Sequence, residues 1–160
     1  LNNYHRHSSY SNCYTADSSV LNEEYAKRAV ELGDKIISSM EHGFQGNYFE
    51  VFSLAKKYGL KFIYGVEAYW VKDRFQDDKT NSHMCIIAKT NKGRKAINLA
   101  VSEANETGYY YRPRLDLELI LNLPKNDVFI TSACVAFWKY NDIEDIVKKL
   151  HEHFGNNFML

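Results

Sequence analysis

Cysteine is scarce: three residues, Cys13, Cys85 and Cys134, in no CxxC pair. An odd, scattered set excludes a disulfide framework and points to a reducing cytoplasm, where a functional cysteine is a ligand or a thiol. Net positive charge is missing as well, because 20 Lys and Arg balance 20 Asp and Glu. Such a chain lacks the field that grips duplex phosphates, so any nucleic acid is held by other parts of a larger protein. The longest apolar stretch, Val128 to Trp138, is too short and too interrupted to span a bilayer, and no membrane partner is expected. No linker or low-complexity tract divides the chain, no glycine-rich phosphate loop is present, and no Ser-His-Asp arrangement offers a nucleophile.

What is present is a 45% hydrophobic chain of 160 residues with alternating strand and helix signals, enough for one domain or a large part of one. A helix is predicted from Asn22 as N-cap to a stop at Gly33, followed by a strand at Lys35 to Ser39. A second round has a helix at Tyr48 to Tyr58, a stop at Gly59 and a strand at Lys61 to Gly65. A third has a strand at His83 to Ala88 and a helix at Lys95 to Ala104. A fourth has a strand at Asp127 to Ser132 and a helix at Asp142 to Phe154. This alternation predicts the α/β class with a parallel sheet, open or closed into a barrel. The segments 71–82 and 105–116 read as irregular. The start at Leu1 and the strand-like ending "NNFML" suggest a piece of a longer protein.

His5 and His7 stand two apart, so in an extended segment both point to one face and can share a metal. His151 and His153 have the same spacing on a predicted helix, where two positions lie roughly 200° apart, and are not expected to ligate. Other metal-type residues fall near strand ends: Glu41 and His42, Glu67, His83 and Cys134. Carboxyl edges of strands are where α/β sites assemble. The mixture of imidazole, carboxylate and thiolate suits zinc, manganese or iron better than calcium or magnesium. Each residue also has a purely structural reading: Glu41 as a turn cap, His42 as a turn histidine, Glu67 as an ion-pair partner, Cys134 as a small core residue.

The ordered segments "HRHSSYSN", "MEHGFQGNYFEVFSLAKKYGLKFIYGVEAYWV", "SHMCIIAKTNKGRKAINLAVSEA", "GYYYRPRLDLELI" and "ITSAC" resemble the PHP (polymerase and histidinol phosphatase) domain of bacterial DNA polymerase III alpha subunits. The resemblance implies a distorted (β/α)7 barrel, incomplete here because the final DxH motif does not occur before Leu160. It implies up to three divalent metal ions, zinc or manganese, on one rim. Position by position it assigns as ligands His5 and His7, Asp17 after the first motif, Glu41 and His42, Glu67, His83 and Cys134. The role implied is a metal-dependent phosphoesterase, with a 3′-5′ exonuclease as one form, inside a DNA-directed DNA polymerase whose nucleotidyl transfer lies elsewhere. Its partners are then DNA, held through the parent polymerase, and neighbouring polymerase domains or replisome subunits. The alternatives are a free-standing phosphatase of the histidinol-phosphate type and an inactive scaffold, the latter favoured by glutamate standing at position 41 where the family has aspartate. A truncated barrel is expected to turn over little phosphoester and to expose a sheet edge that self-association could cover.

Overall fold

A computed structural model describes residues 2–14 and 16–160. The chain divides into two compact units, Leu1–Val66 and Glu67–Leu160. Among the described residues no helix is long and apolar enough to cross a membrane.

The first unit contains α1 (Asn22–Glu31), β1 (Ile36–Ser39) and α2 (Tyr48–Tyr58), and it includes the start of β2 (Lys61–Trp70). Helix α1 starts one residue earlier than its sequence signal implies. Leu21 is the N-cap, and its amide is bound by Glu24 at 2.8 Å, the backbone half of a capping box. Asn22 is thereby released from capping, and its buried side chain turns inward to Arg6. Gly33 and Gly59 adopt the left-handed conformation expected of helix stops. β1 and β2 pair in parallel with Ile37 opposite Phe62, so α2 is the crossover of a βαβ unit. Ala26, Ile37, Val51, Leu54 and Ala55 form the core between the helices and this pair. On the surface Glu23 joins the two helices, accepting hydrogen bonds from Lys57 at 2.7 Å and Tyr58 at 2.8 Å. The Lys57 bond is the main reason its pKa falls to about 2. This contribution is present above the ordinary carboxylate range and is lost as pH falls toward that value.

The second unit is a six-strand mixed sheet in the order β4-β5-β2-β3-β6-β7. Its further strands are β3 (Ser82–Ala88), β4 (Tyr109–Tyr110), β5 (Arg112–Leu115), β6 (Val128–Thr131) and β7 (Phe158–Met159). The helices are α3 (Asn91–Thr107), α4 (Leu117–Leu121) and α5 (Ile143–Phe154). β5 runs parallel to β2, with Tyr69 opposite Arg114, and β7 runs parallel to β6. β3 and β6 are antiparallel, with Ile86 opposite Ile130. The strand-helix alternation had implied parallel pairing throughout. Between β3 and β6, however, the chain passes through α3, a small hairpin and α4, so no single crossover helix dictates strand direction. The hairpin is β4–β5, within the segment that reads as irregular. Its tight corner puts Tyr111 at φ 60, a left-handed value that no glycine or asparagine signals in the sequence. β2 also continues past Gly65, because Val66 and Ala68–Trp70 are all buried and extend the strand. Trp70 is fully buried, packed edge-on against Phe137 and Tyr140.

Helix α3 is fixed at its start by Thr90. Its hydroxyl accepts the Gly93 amide at 3.1 Å and donates to Asp127 at 2.6 Å. A Cβ on Gly93 would run into the Asp127 carbonyl. Gly93→Ala, which gains about 1 kcal/mol of helix propensity, is therefore expected to destabilise the chain by about 1–3 kcal/mol. A urea titration showing the alanine variant equal to or more stable than the parent would contradict the collision.

Candidate metal centre

In the first unit, residues 2–8 form no strand ladder, yet the spacing logic holds. His5 and His7 lie on one side of the segment with their Nε2 atoms 3.2 Å apart, and Arg6 between them is buried on the other side. Two nitrogens bound tetrahedrally to one metal at about 2.0–2.1 Å are about 3.3 Å apart, so the histidine pair spans the distance a shared cation requires.

The loop after this pair bends back through Asn12. Its side-chain oxygen accepts the amides of Asp17 and Ser18 at 2.9 and 3.1 Å, and its amide group donates to the Ser18 carbonyl at 2.7 Å. That clasp brings the Asp17 carboxylate to 3.4 Å from His42 Nε2 and 3.7 Å from His7 Nδ1. The imidazole of His42 stacks on that of His7, ring centroids 4.2 Å apart. His7, Asp17 and His42 each present a ligand atom within 4.8 Å of the others. Imidazole and carboxylate together fit a divalent metal ion.

Glu41, which the sequence reading placed among the ligands, turns away into a different environment. It is fully buried, and both carboxylate oxygens are taken up by donors. Oε1 accepts from the Ser8 hydroxyl at 2.6 Å and the Asn47 amide at 2.6 Å. Oε2 accepts from the Ser8 backbone amide at 3.0 Å and the Ser11 hydroxyl at 2.5 Å. The Asn47 orientation is set by Ser39, whose hydroxyl donates to the Asn47 oxygen at 2.5 Å. Asn47 and Arg6 both donate to the Asn22 oxygen, at 3.5 and 2.9 Å. Arg6 is the nearby compensating cation. Burial lowers its pKa to about 10, and the charge of Glu41 acts against that loss.

In the second unit Glu67 and His83 face each other, Oε1 to Nδ1 at 3.4 Å, and Tyr69 packs edge-on against the His83 ring. Glu67 lies inside β2, three residues before its end, where the sequence signal put it beyond the strand. Cys134 caps the 3-10 turn Val135–Lys139, its sulfur accepting the Ala136 amide at 3.4 Å. Among the described residues, no cluster of three metal-type donors includes Glu41 or Cys134. His151 and His153 sit in the last turn of α5, and no such cluster includes them either.

The PHP domain family matches residues 3–160. This chain belongs to the PHP domain family. Its curated relatives include DNA polymerase III subunit alpha of Aquifex aeolicus, 29% identical over 98% of this chain and 15% of that protein. The Helicobacter pylori protein of the same name is 34% identical over 69% of this chain and 9% of the relative. That of Borreliella burgdorferi is 29% identical over 98% and 14%. The chain thus spans less than a sixth of the length of these relatives. A candidate metal-dependent phosphoesterase from Bifidobacterium adolescentis superposes on 64% of this chain and 32% of its own with a TM-score of 0.47 at 17% identity, too distant a likeness to bear on function. Of the residues that no sequence motif marks, Ser11, bonded to the His7 ring and the His42 amide, and Asn12, which clasps Asp17, hold these side chains in place, while Ser8 and Asn47 bind Glu41. For Ser8, Ser11 and Asn12 the advance signal is the density of small hydroxyl and amide side chains in "HRHSSYSN".

Proposed function

We propose that this chain is the PHP part of a DNA polymerase III alpha-type subunit and holds a divalent-metal phosphoesterase centre whose ligands include His5, His7, Asp17 and His42. The observation that carries the reading is the approach of the His5 and His7 Nε2 atoms to 3.2 Å beside the Asp17–His42 pair. In the second unit Glu67, His83 and Cys134, donors of carboxylate, imidazole and thiolate type, are proposed as ligands as well. A divalent cation held by such donors supplies Lewis acidity for hydrolysis of a phosphoester, including one at a DNA 3′ end. Bound there, such a cation would be held by the imidazole nitrogens of His5, His7 and His42 and the carboxylate of Asp17. DNA and the neighbouring polymerase domains are the partners this reading implies, through the parent protein.

Metal analysis after dialysis against zinc or manganese tests the proposal. Stoichiometric metal is expected in the parent chain and a loss of most of it in His7→Ala and Asp17→Asn, with His151→Ala unchanged as the control. Absence of stoichiometric metal in a folded parent chain would instead favour the inactive scaffold. Assays of the longer parent protein on a single-stranded DNA 3′ end and on a chromogenic phosphate ester then separate exonuclease from small-molecule phosphatase chemistry, the 160-residue chain itself being expected to turn over little.

A further inference from the structure

We infer that Glu41 and Ser11 form a positioning relay that fixes the tautomer of His7 and so presents its Nε2 atom to a metal; this rests on the metal-centre reading given above. The direction of the hydrogen bonds follows from counting protons. An ionised carboxylate only accepts, and Glu41 faces donors from Ser8, Ser11 and Asn47. The single hydroxyl proton of Ser11 is therefore committed to Glu41 Oε2 at 2.5 Å. Ser11 Oγ lies 2.9 Å from His7 Nδ1 and has no second proton to offer, so it can only accept. Nδ1 then carries the hydrogen, and the Nε2 lone pair points toward His5.

The same oxygen receives the backbone amide of His42 at 3.3 Å, so one serine ties together both histidines that stack on each other. Ser11 is fully buried, and solvent does not compete for its hydrogen bonds. Ligating histidines depend on such outer contacts for ring orientation and basicity. The length of the glutamate side chain at position 41 acquires a purpose here. Its carboxylate spans Ser8, Ser11 and Asn47 at once, and the site uses it as an anchor behind the histidines.

The test uses Ser11→Ala, with thermal melting to show that the variant is folded. In metal-free protein labelled with nitrogen-15, long-range proton–nitrogen NMR of the His7 ring at pH 8 reads the tautomer directly. The parent is expected to show the Nδ1–H form and Ser11→Ala a mixture dominated by Nε2–H. Zinc affinity is expected to fall by about 10–100-fold in Ser11→Ala, and Ser11→Cys, with a weaker donor, should be intermediate. An unchanged His7 tautomer together with zinc affinity within about twofold of the parent would overturn the relay. A parent chain that shows the Nδ1–H form and takes up no metal would sink the metal-centre reading while leaving the tautomer control in place.

Discussion

Replacing Glu41 by alanine is expected to remove about 3–5 kcal/mol of stability, the usual cost of deleting one member of a buried charged network. The residue has no solvent exposure, and four donor groups of Ser8, Ser11 and Asn47 close on its two oxygens. Alanine leaves those donors in a cavity with no acceptor and leaves Arg6 buried without its compensating charge. For a chain of this size the loss corresponds to roughly a 10 °C fall in melting temperature. Glu41→Gln keeps the shape and one accepting oxygen, and its loss should be about half as large. Calorimetry on the two variants separates the cases: an alanine variant within about 1 kcal/mol of the parent would mean that water enters the site and takes over the carboxylate's contacts.

This role for Glu41 marks the boundary of what the sequence made legible. Helix α2 was readable to the residue, because the stop at Gly59 and the strand signal that follows it agree on Tyr48–Tyr58. The His5–His7 pair was readable because two-residue spacing is a local property of extended chain. Asp17 became legible only through the family resemblance, since the clasp by Asn12 that positions it leaves no periodic trace. The identity of residue 41 suggests a ligand, and the structure surrounds its carboxylate with donors from Ser8, Ser11 and Asn47. Those partners are 6, 30 and 33 residues away in sequence, beyond the reach of any local pattern. The β4–β5 hairpin was hidden for a different reason. Its strands are too short for alternation to show, and Pro113 and Tyr111 argue locally against a strand and against a left-handed corner.

Arg114 carries the second large effect, and it explains why the segment 71–82 is held although it reads as irregular. The side chain is 2% exposed and donates almost entirely to backbone carbonyls. Nε reaches Gly108 at 2.9 Å, Nη1 reaches Gln76 and Asp78 at 2.8 Å each, and Nη2 reaches Arg74 at 2.8 Å. Arg74 in turn is gripped by both oxygens of Asp116, at 2.8 and 2.7 Å, and by Glu118 at 2.8 Å. The Arg-Pro-Arg-Leu-Asp run of β5 and its successor therefore clamps the loop twice, once by its carbonyls and once by the Arg74 guanidinium. Arg114→Met is expected to cost about 3 kcal/mol, because several carbonyls lose a charged donor in a buried place. Arg114→Lys should cost nearly as much, since a single ammonium cannot reproduce a planar fork directed at four separate oxygens. Limited trypsinolysis reads the local consequence: cleavage after Lys72, Arg74 and Lys79 should accelerate at least tenfold in both variants, about the change that 1.4 kcal/mol of local opening produces. A lysine variant cleaved at the parental rate would show that positive charge alone, without the guanidinium geometry, is enough to hold the loop.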